Sequence, residues 1–306
     1  MPEPTRRKLL PTLAPWVVAA LIFVWLFNIV PFRKLVEVLE RAPLGAFVAL
    51  AVGYVIVVLF ADTFATWATF RWALPDVQLP FREMLDIRGA TYLLAILHYG
   101  AGQGGLAYFL HRRHGVEVPR TAGAVMLLMG VNVMVVALCA FVGILAGGAP
   151  EAQSLRWIVI ALAAGFPAYL LVILWHPAFL RRFRLLQPLF QAGIRGHAVA
   201  IAARLPHMAV LIAGNYIAMR LFDVTPALDQ ALVLLPIVFV IAVLPISPSG
   251  LGTAQAAAVT LFAQFAHGAT LEDRRAAVVG YSLGLQFLAL FVQAVLGVYF
   301  LRRTTR

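Results

Sequence analysis

"LPISPSGLGTAQAA", residues 244–257, interrupts a long apolar region with Pro245, Pro248, Gly250 and Gly252. Proline cannot donate a backbone hydrogen bond, and glycine opens turns that other residues avoid, so a helix stops here. Ser249 or Thr253 is expected to cap a new helix, whose free N–H groups and positive dipole end attract an anion. In lipid, irregular backbone survives only where protein or a water-filled cavity satisfies it. The stretch therefore reads as the tip of a helical hairpin running from about Leu228 to Phe265, with each arm barely as long as a bilayer requires.

The rest of the chain supplies the membrane context. Of 306 residues, 62% are hydrophobic and 12% charged, which excludes an ordinary soluble domain. No hydrophilic block is long enough for a second domain, so residues 1–306 read as one polytopic membrane domain. Apolar runs predict spanning helices near Leu13–Val30, Leu44–Trp67, Thr121–Ala146, Leu155–Trp175, His197–Met219 and Ala276–Leu301, since about 20 residues cross the hydrocarbon core. The opening "TRRKLL" resembles a signal segment, but no small-residue cleavage site follows, and it reads as an uncleaved first helix. Cys139 is the only cysteine, so no disulfide framework or thiolate metal site is expected.

A second region behaves like the first. Met84–Leu110 is apolar on both sides of "HYGAGQGG", and its glycines predict a break over Gly100–Gly105 with a helix restarting near Gly105. Gly100, Gly102 and Gly105 also fit G-x-G-x-x-G, but no strand precedes them, so a dinucleotide site is not expected. The plainer reading of such glycines is close helix packing. Treating both regions as hairpins places most Lys and Arg on one side, with the amino terminus, Phe70–Arg88, His111–Arg120, Pro177–Gly196 and the carboxyl terminus together. That side reads as cytoplasmic. The net charge of +11 then marks loops rather than a nucleic-acid surface. The expected fold is an all-α integral membrane protein of about six spans plus two opposed re-entrant hairpins, arranged as an inverted repeat.

Ionisable residues in apolar surroundings suggest function by default. Arg204 follows about seven residues of the expected helix, roughly 10 Å inside at 1.5 Å per residue; it either binds a lipid phosphate or snorkels to the headgroups. Asp62, late in the second span, pairs with a basic residue, takes part in ion coupling, or sits satisfied near the interface. His98 and Gln103 flank the first break. Arg112 and Arg113, between His111 and His114, form a basic patch suited to anionic headgroups, with no carboxylate or cysteine at metal-ligand spacing. Ser247 and Ser249 have no companion His and carboxylate in sequence, so no catalytic residue, metal or cofactor is assigned.

The motif "LPISPSGLGTAQAAAV" resembles the "LPIS-x-GGLG-x-x-E" pattern of the lysylphosphatidylglycerol synthase membrane-domain family, also described as flippase-like. "YLLAILHYGAGQGGLAYFLHRRHGV" resembles that family's first motif, and the likeness extends over nearly the whole chain. It implies a polytopic domain with re-entrant helices that moves or presents lipids across the bilayer. Some relatives add a soluble aminoacyl-transfer domain, which these residues lack. Gln255 stands where the motif has Glu, Leu106 where an acidic residue is usual, and Ser249 at the first glycine of the pair, which favours an anionic ligand over a cationic one. The expected partner is a membrane phospholipid or other lipid-linked anion, in the inner membrane. Gly102, Gln103, Gly104, Ser247, Ser249, Gly250, Gly252 and Gln255 line the site, and Arg112, Arg113 and Arg204 attract the headgroup. A membrane-embedded enzyme or accessory subunit acting on a lipid-linked substrate is the alternative, and oligomerisation stays open.

Overall fold

The computed structural model describes residues 6–97, 99–145, 156–243, 247 and 250–304. Its α-helices, in chain order, are α1 (Arg6–Ile29), α2 (Phe32–Arg41), α3 (Leu44–Ala73), α4 (Phe81–Leu97), α5 (Tyr99–His114) and α6 (Val118–Leu145), then α7 (Arg156–Trp175), α8 (Ala178–Arg181), α9 (Gln187–Arg220), α10 (Leu228–Val243), α11 (Thr253–Phe262) and α12 (Leu271–Thr304). The chain is an all-α, multi-pass membrane protein. Helices dominate because lipid offers no partner for backbone N–H and C=O groups, so each segment must satisfy its own.

Among the described residues, α3, Val118–Gly143 of α6, α9 and α12 are long and apolar enough to cross a membrane. The bent pair Val17–Ile29 and Phe32–Arg41 makes a fifth if counted as one span, the two parts meeting at 77°. By length and composition the described residues thus hold four spans, or five with the bent pair, beside the six expected, and residues 146–155 ahead of α7 lie outside them. α2 places Arg33, Lys34 and Glu37 across the end of the preceding run rather than continuing it, and the described apolar part of α7 is short, Ala164–Trp175. α9 begins ten residues before the expected His197 because the chain is helical on both sides of a kink at Gly193, φ 54° and ψ −171°.

The order repeats. Helix, short helix, long helix, two-armed hairpin and long helix describe both α1–α6 and α7–α12. α3 packs along α9, while α4 packs along α12 and α10 along α6, so each half lends its hairpin to the other. A Cβ on Gly196 would come within 2.8 Å of Trp72 Cβ, and one on Gly214 within 2.6 Å of the Tyr54 ring, which fixes α3 and α9 as antiparallel neighbours in close contact. Antiparallel pairing of equivalent helices is what an inverted repeat requires. On α3, Val48, Val52, Ile56, Phe60 and Phe64 are exposed, whereas Ala51, Val55, Leu59, Asp62, Thr66 and Thr69 are buried, so Asp62 faces the interior.

The outer ends of each hairpin meet. Glu83 near the start of α4 accepts from Arg113 (3.3 Å) and meets His114 Nε2 (3.1 Å) at the end of α5. For the second hairpin, Thr225 N–H donates to Phe265 O (2.9 Å) and His267 N–H to Asp223 O (2.9 Å). These mouths lie at opposite ends of α12. Arg303 pairs with Asp86 at one end and Asp273 with Lys34 at the other, about 45 Å apart along the helix axis at 1.5 Å per residue. Asp76–Arg120, Glu83–Arg113 and Glu117–Arg184 gather the segments expected to share a side onto the first mouth.

One break falls elsewhere than its glycines indicate. α5 starts at Tyr99, and Gly100 to Gly105 are helical throughout. Here the plainer reading holds, since a Cβ on Gly102 would lie 2.8 Å from Ala95 Cβ and one on Gly105 2.6 Å from Leu94. The glycines let the two arms touch. His98 and residues 244–246, 248 and 249 lie outside the described residues. The second break is real, with Gly250 at φ +72° and Gly252 at φ +84° before helix resumes at Thr253.

Candidate functional site

Three helices from both halves bring charge into the core. Arg88 on α4 donates through Nε (2.9 Å) and Nη2 to Oδ2 of Asp62 on α3, and Arg204 on α9 donates through Nη1 to Oδ1 (2.6 Å). Asp62 is 7% exposed, Arg88 7% and Arg204 3%. One carboxylate thus holds two guanidiniums. Within a low-dielectric interior, such a cluster persists only when its charges are paired and its hydrogen bonds made. The local helices are built for it. Thr66 donates its hydroxyl to Asp62 O (2.7 Å), Thr91 to Arg88 O (2.9 Å), and Pro206 removes one backbone donor from α9 just beyond Arg204.

These residues line a cavity of about 340 Å³ together with Gly102, Gln103, Asn132, His207 and Ala242. A second cavity of about 230 Å³ contains Asn215, Gln255 and Ser282. Ala242, Gln286 and Gln293 line both, so the two spaces adjoin. The inner ends of both hairpins reach this shared region, the first through Ala95, Gly102 and Gln103 and the second through Ala242 and Gln255.

At the second break, Gln255 accepts from Gly252 N–H (2.7 Å) and donates through Nε2 to Gln286 Oε1 on α12 (2.6 Å). The start of α11 is therefore capped by its own Gln255 and not by Thr253, while Ser249 lies outside the described residues. Thr253, the first helical residue, donates to Gly250 O (3.1 Å) and meets the Ser247 hydroxyl at 3.0 Å. Positive charge facing the cavity comes from guanidiniums, not from a bare helix start.

Gly102, Gln103 and Arg204 meet in the larger cavity, and Gln255 stands in the adjoining one. Ser247, Gly250 and Gly252 shape the second tip without lining either space, and Ser249 lies outside the described residues. Gly104 is exposed on the far side of α5. Arg112, whose Nη1 reaches Tyr108 Oη at 3.4 Å, and Arg113, which donates to Thr304 O at 2.6 Å, stand at the first mouth, away from the cavity. Arg204 is buried and paired instead of snorkelling. Arg88, His207, Asn132 and Gln286 were not singled out by sequence. Arg88 sits seven residues into α4, and the depth argument applied to Arg204 would have found it had the helix start at Phe81 been recognised.

Comparison with known families gives a match over residues 13–297 to the family described as "Lysylphosphatidylglycerol synthase TM region". No curated protein matches the chain.

Proposed function

The chain belongs to the lysylphosphatidylglycerol synthase transmembrane-region family, and from that premise we propose that it is a flippase-like lipid transporter that takes a phosphate-containing headgroup into the cavity around Asp62, Arg88 and Arg204. The observation that carries this reading is the buried pair of arginines sharing one carboxylate where both hairpins reach inward. Guanidinium forks match phosphate oxygens and bind them strongly when desolvated.

The arrangement supports alternating access. The mouths of the two hairpins face opposite ends of α12 while their tips share one region, so a headgroup held there is equidistant in kind from both surfaces. Rocking of one half against the other along the α3–α9 contact would expose the site to each side in turn. Arg112 and Arg113 would concentrate anionic lipids at the first mouth, while the tails stay in the bilayer. The excess of basic residues at that mouth supports an inner-membrane orientation with both termini cytoplasmic.

The test is reconstitution of the full chain in vesicles with tail-labelled phospholipids. Transbilayer headgroup exchange above protein-free vesicles is expected, falling at least about tenfold in Arg204→Ala, as expected when a charge-assisted contact to phosphate is lost. Absence of exchange across anionic and zwitterionic lipids would sink the proposal.

A further inference from the structure

The cavity holds polar atoms that the protein does not satisfy. Among the described residues, Arg204 Nε, Gln103 Oε1 and His207 Nδ1 are buried without a hydrogen-bond partner. Their residues are 3%, 4% and 8% exposed and line the same space as Asp62 and Arg88. Buried polar atoms left unmet at membrane depth are costly and call for a partner from outside the protein. One is a donor on a cation, and one is an acceptor on a neutral amide.

Charge narrows the choice. The charged side chains lining the cavity are Arg88, Arg204 and Asp62, which leaves at least one positive charge in excess. Asp62 already accepts from both guanidiniums, so no carboxylate in the cavity is left to receive an ammonium. A phosphate monoanion cancels the excess. A zwitterionic headgroup brings its own positive charge into the same space and leaves the excess standing.

We infer that the site selects a polyol phosphate headgroup, an anionic phosphate that carries hydroxyl groups and no ammonium. The phosphate oxygen accepts from Arg204 Nε, and a hydroxyl donates to Gln103 Oε1. This deepens the flippase-like reading and rests on it for the route by which the lipid arrives. A phosphate ester without hydroxyls satisfies the arginine and leaves the glutamine oxygen bare, so Gln103 is the specificity-determining residue.

The experiment uses the full chain with four probes: phosphatidylglycerol, phosphatidylmethanol and phosphatidylethanolamine with identical tails, and soluble glycerol 3-phosphate. Two readouts are taken, transbilayer exchange in phosphatidylcholine vesicles and lipid retention on the purified protein by native mass spectrometry. Phosphatidylglycerol is expected to exceed phosphatidylmethanol by about tenfold in retention, the scale of one buried hydrogen bond, and phosphatidylethanolamine by more. Gln103→Leu should bring the first ratio close to one, while the wild-type ratio stands as evidence even if that variant folds poorly. Equal retention of phosphatidylethanolamine and phosphatidylglycerol overturns the inference, as does a wild-type ratio of one between phosphatidylglycerol and phosphatidylmethanol. Equal exchange of every lipid leaves a flippase without this selectivity. Selective retention without exchange keeps the inference and removes the transport reading. Glycerol 3-phosphate binding as well as the lipid would assign the chemistry to a soluble ligand and overturn the headgroup.

Discussion

The two hairpins occupy equivalent places in the repeat, yet they are built by different means. The first has continuous helical arms of 17 and 16 residues, about 25 and 24 Å long, held together by glycines and closed at its mouth by ion pairs. The second enters its second arm, of ten residues, through Gly250 and Gly252 at positive φ, and its mouth is closed by backbone hydrogen bonds, with Val224 and Ala266 forming an isolated antiparallel bridge. Only the first carries a charge to the centre, since Arg88 has no counterpart among the apolar inner residues of α10. Duplicated architecture has thus been divided: one hairpin supplies electrostatics, the other a neutral amide relay through Gln255 and Gln286.

The division can be broken or sharpened experimentally, and the mouths give the largest contrast. In a Cys139→Ser background, single cysteines at Val118 and Ala269, both exposed, should react with an impermeant reagent from opposite sides of the membrane. Labelling of both from one side would end the idea of opposed hairpins. Next comes the central charge. Asp62→Ala leaves two buried guanidiniums uncompensated and should destabilise the protein by about 3–5 kcal/mol, seen as a lower unfolding midpoint in detergent. Gln255→Leu, which strands Gly252 N–H and removes the donor to Gln286 Oε1, should cost about 1–3 kcal/mol by the same measurement. If the order is reversed, the relay rather than the charge cluster organises the core.

The glycines separate the hairpins further. Gly252→Ala forces a side chain into φ +84° and should lower stability by about 1–2 kcal/mol. Gly104→Ala adds a Cβ in open space on a helix and should raise it by up to about 1 kcal/mol. Equal losses would mean that the first hairpin is strained at its glycines too. The smallest effect belongs to the first mouth. The side-chain hydrogen bonds from Arg120 hold the Asp76 carboxyl below its ordinary range. Its contribution is present above the unfolded carboxylate range and is lost as pH falls through the depressed folded value. Asp76→Asn should therefore cost about 0.2–1 kcal/mol at neutral pH, less at high salt, and nothing in strong acid. A loss that persists in acid would show that the pair does not act through charge.

Sequence reading succeeded where one physical demand dominates. Unbroken apolar length made α3, α6, α9 and α12 legible, and the prolines with Gly250 and Gly252 located the second tip because those residues cannot continue a helix. The first tip was misplaced because glycine serves two purposes, and in α5 it is spent on contact with Ala95 and Leu94 rather than on a turn. The charge cluster was half legible. Asp62 and Arg204 stood out against apolar neighbours, whereas Arg88 follows the polar run around Arg82, Glu83 and Asp86 and looked like loop charge until α4 gave it depth. Which lone polar residues converge depends on the α3–α9 register, which no local pattern encodes.

The placement of the triad across both halves sets an order of biosynthesis. Asp62 and Arg88 leave the ribosome long before Arg204, and together they form a neutral pair that the first half can carry into the membrane by itself. Arg204 arrives later as the surplus charge, and its only carboxylate partner in the cavity already belongs to an inserted segment. That late arginine thus joins its early carboxylate inside the core, while Asp86–Arg303 and Lys34–Asp273 join early and late segments at the two ends of α12.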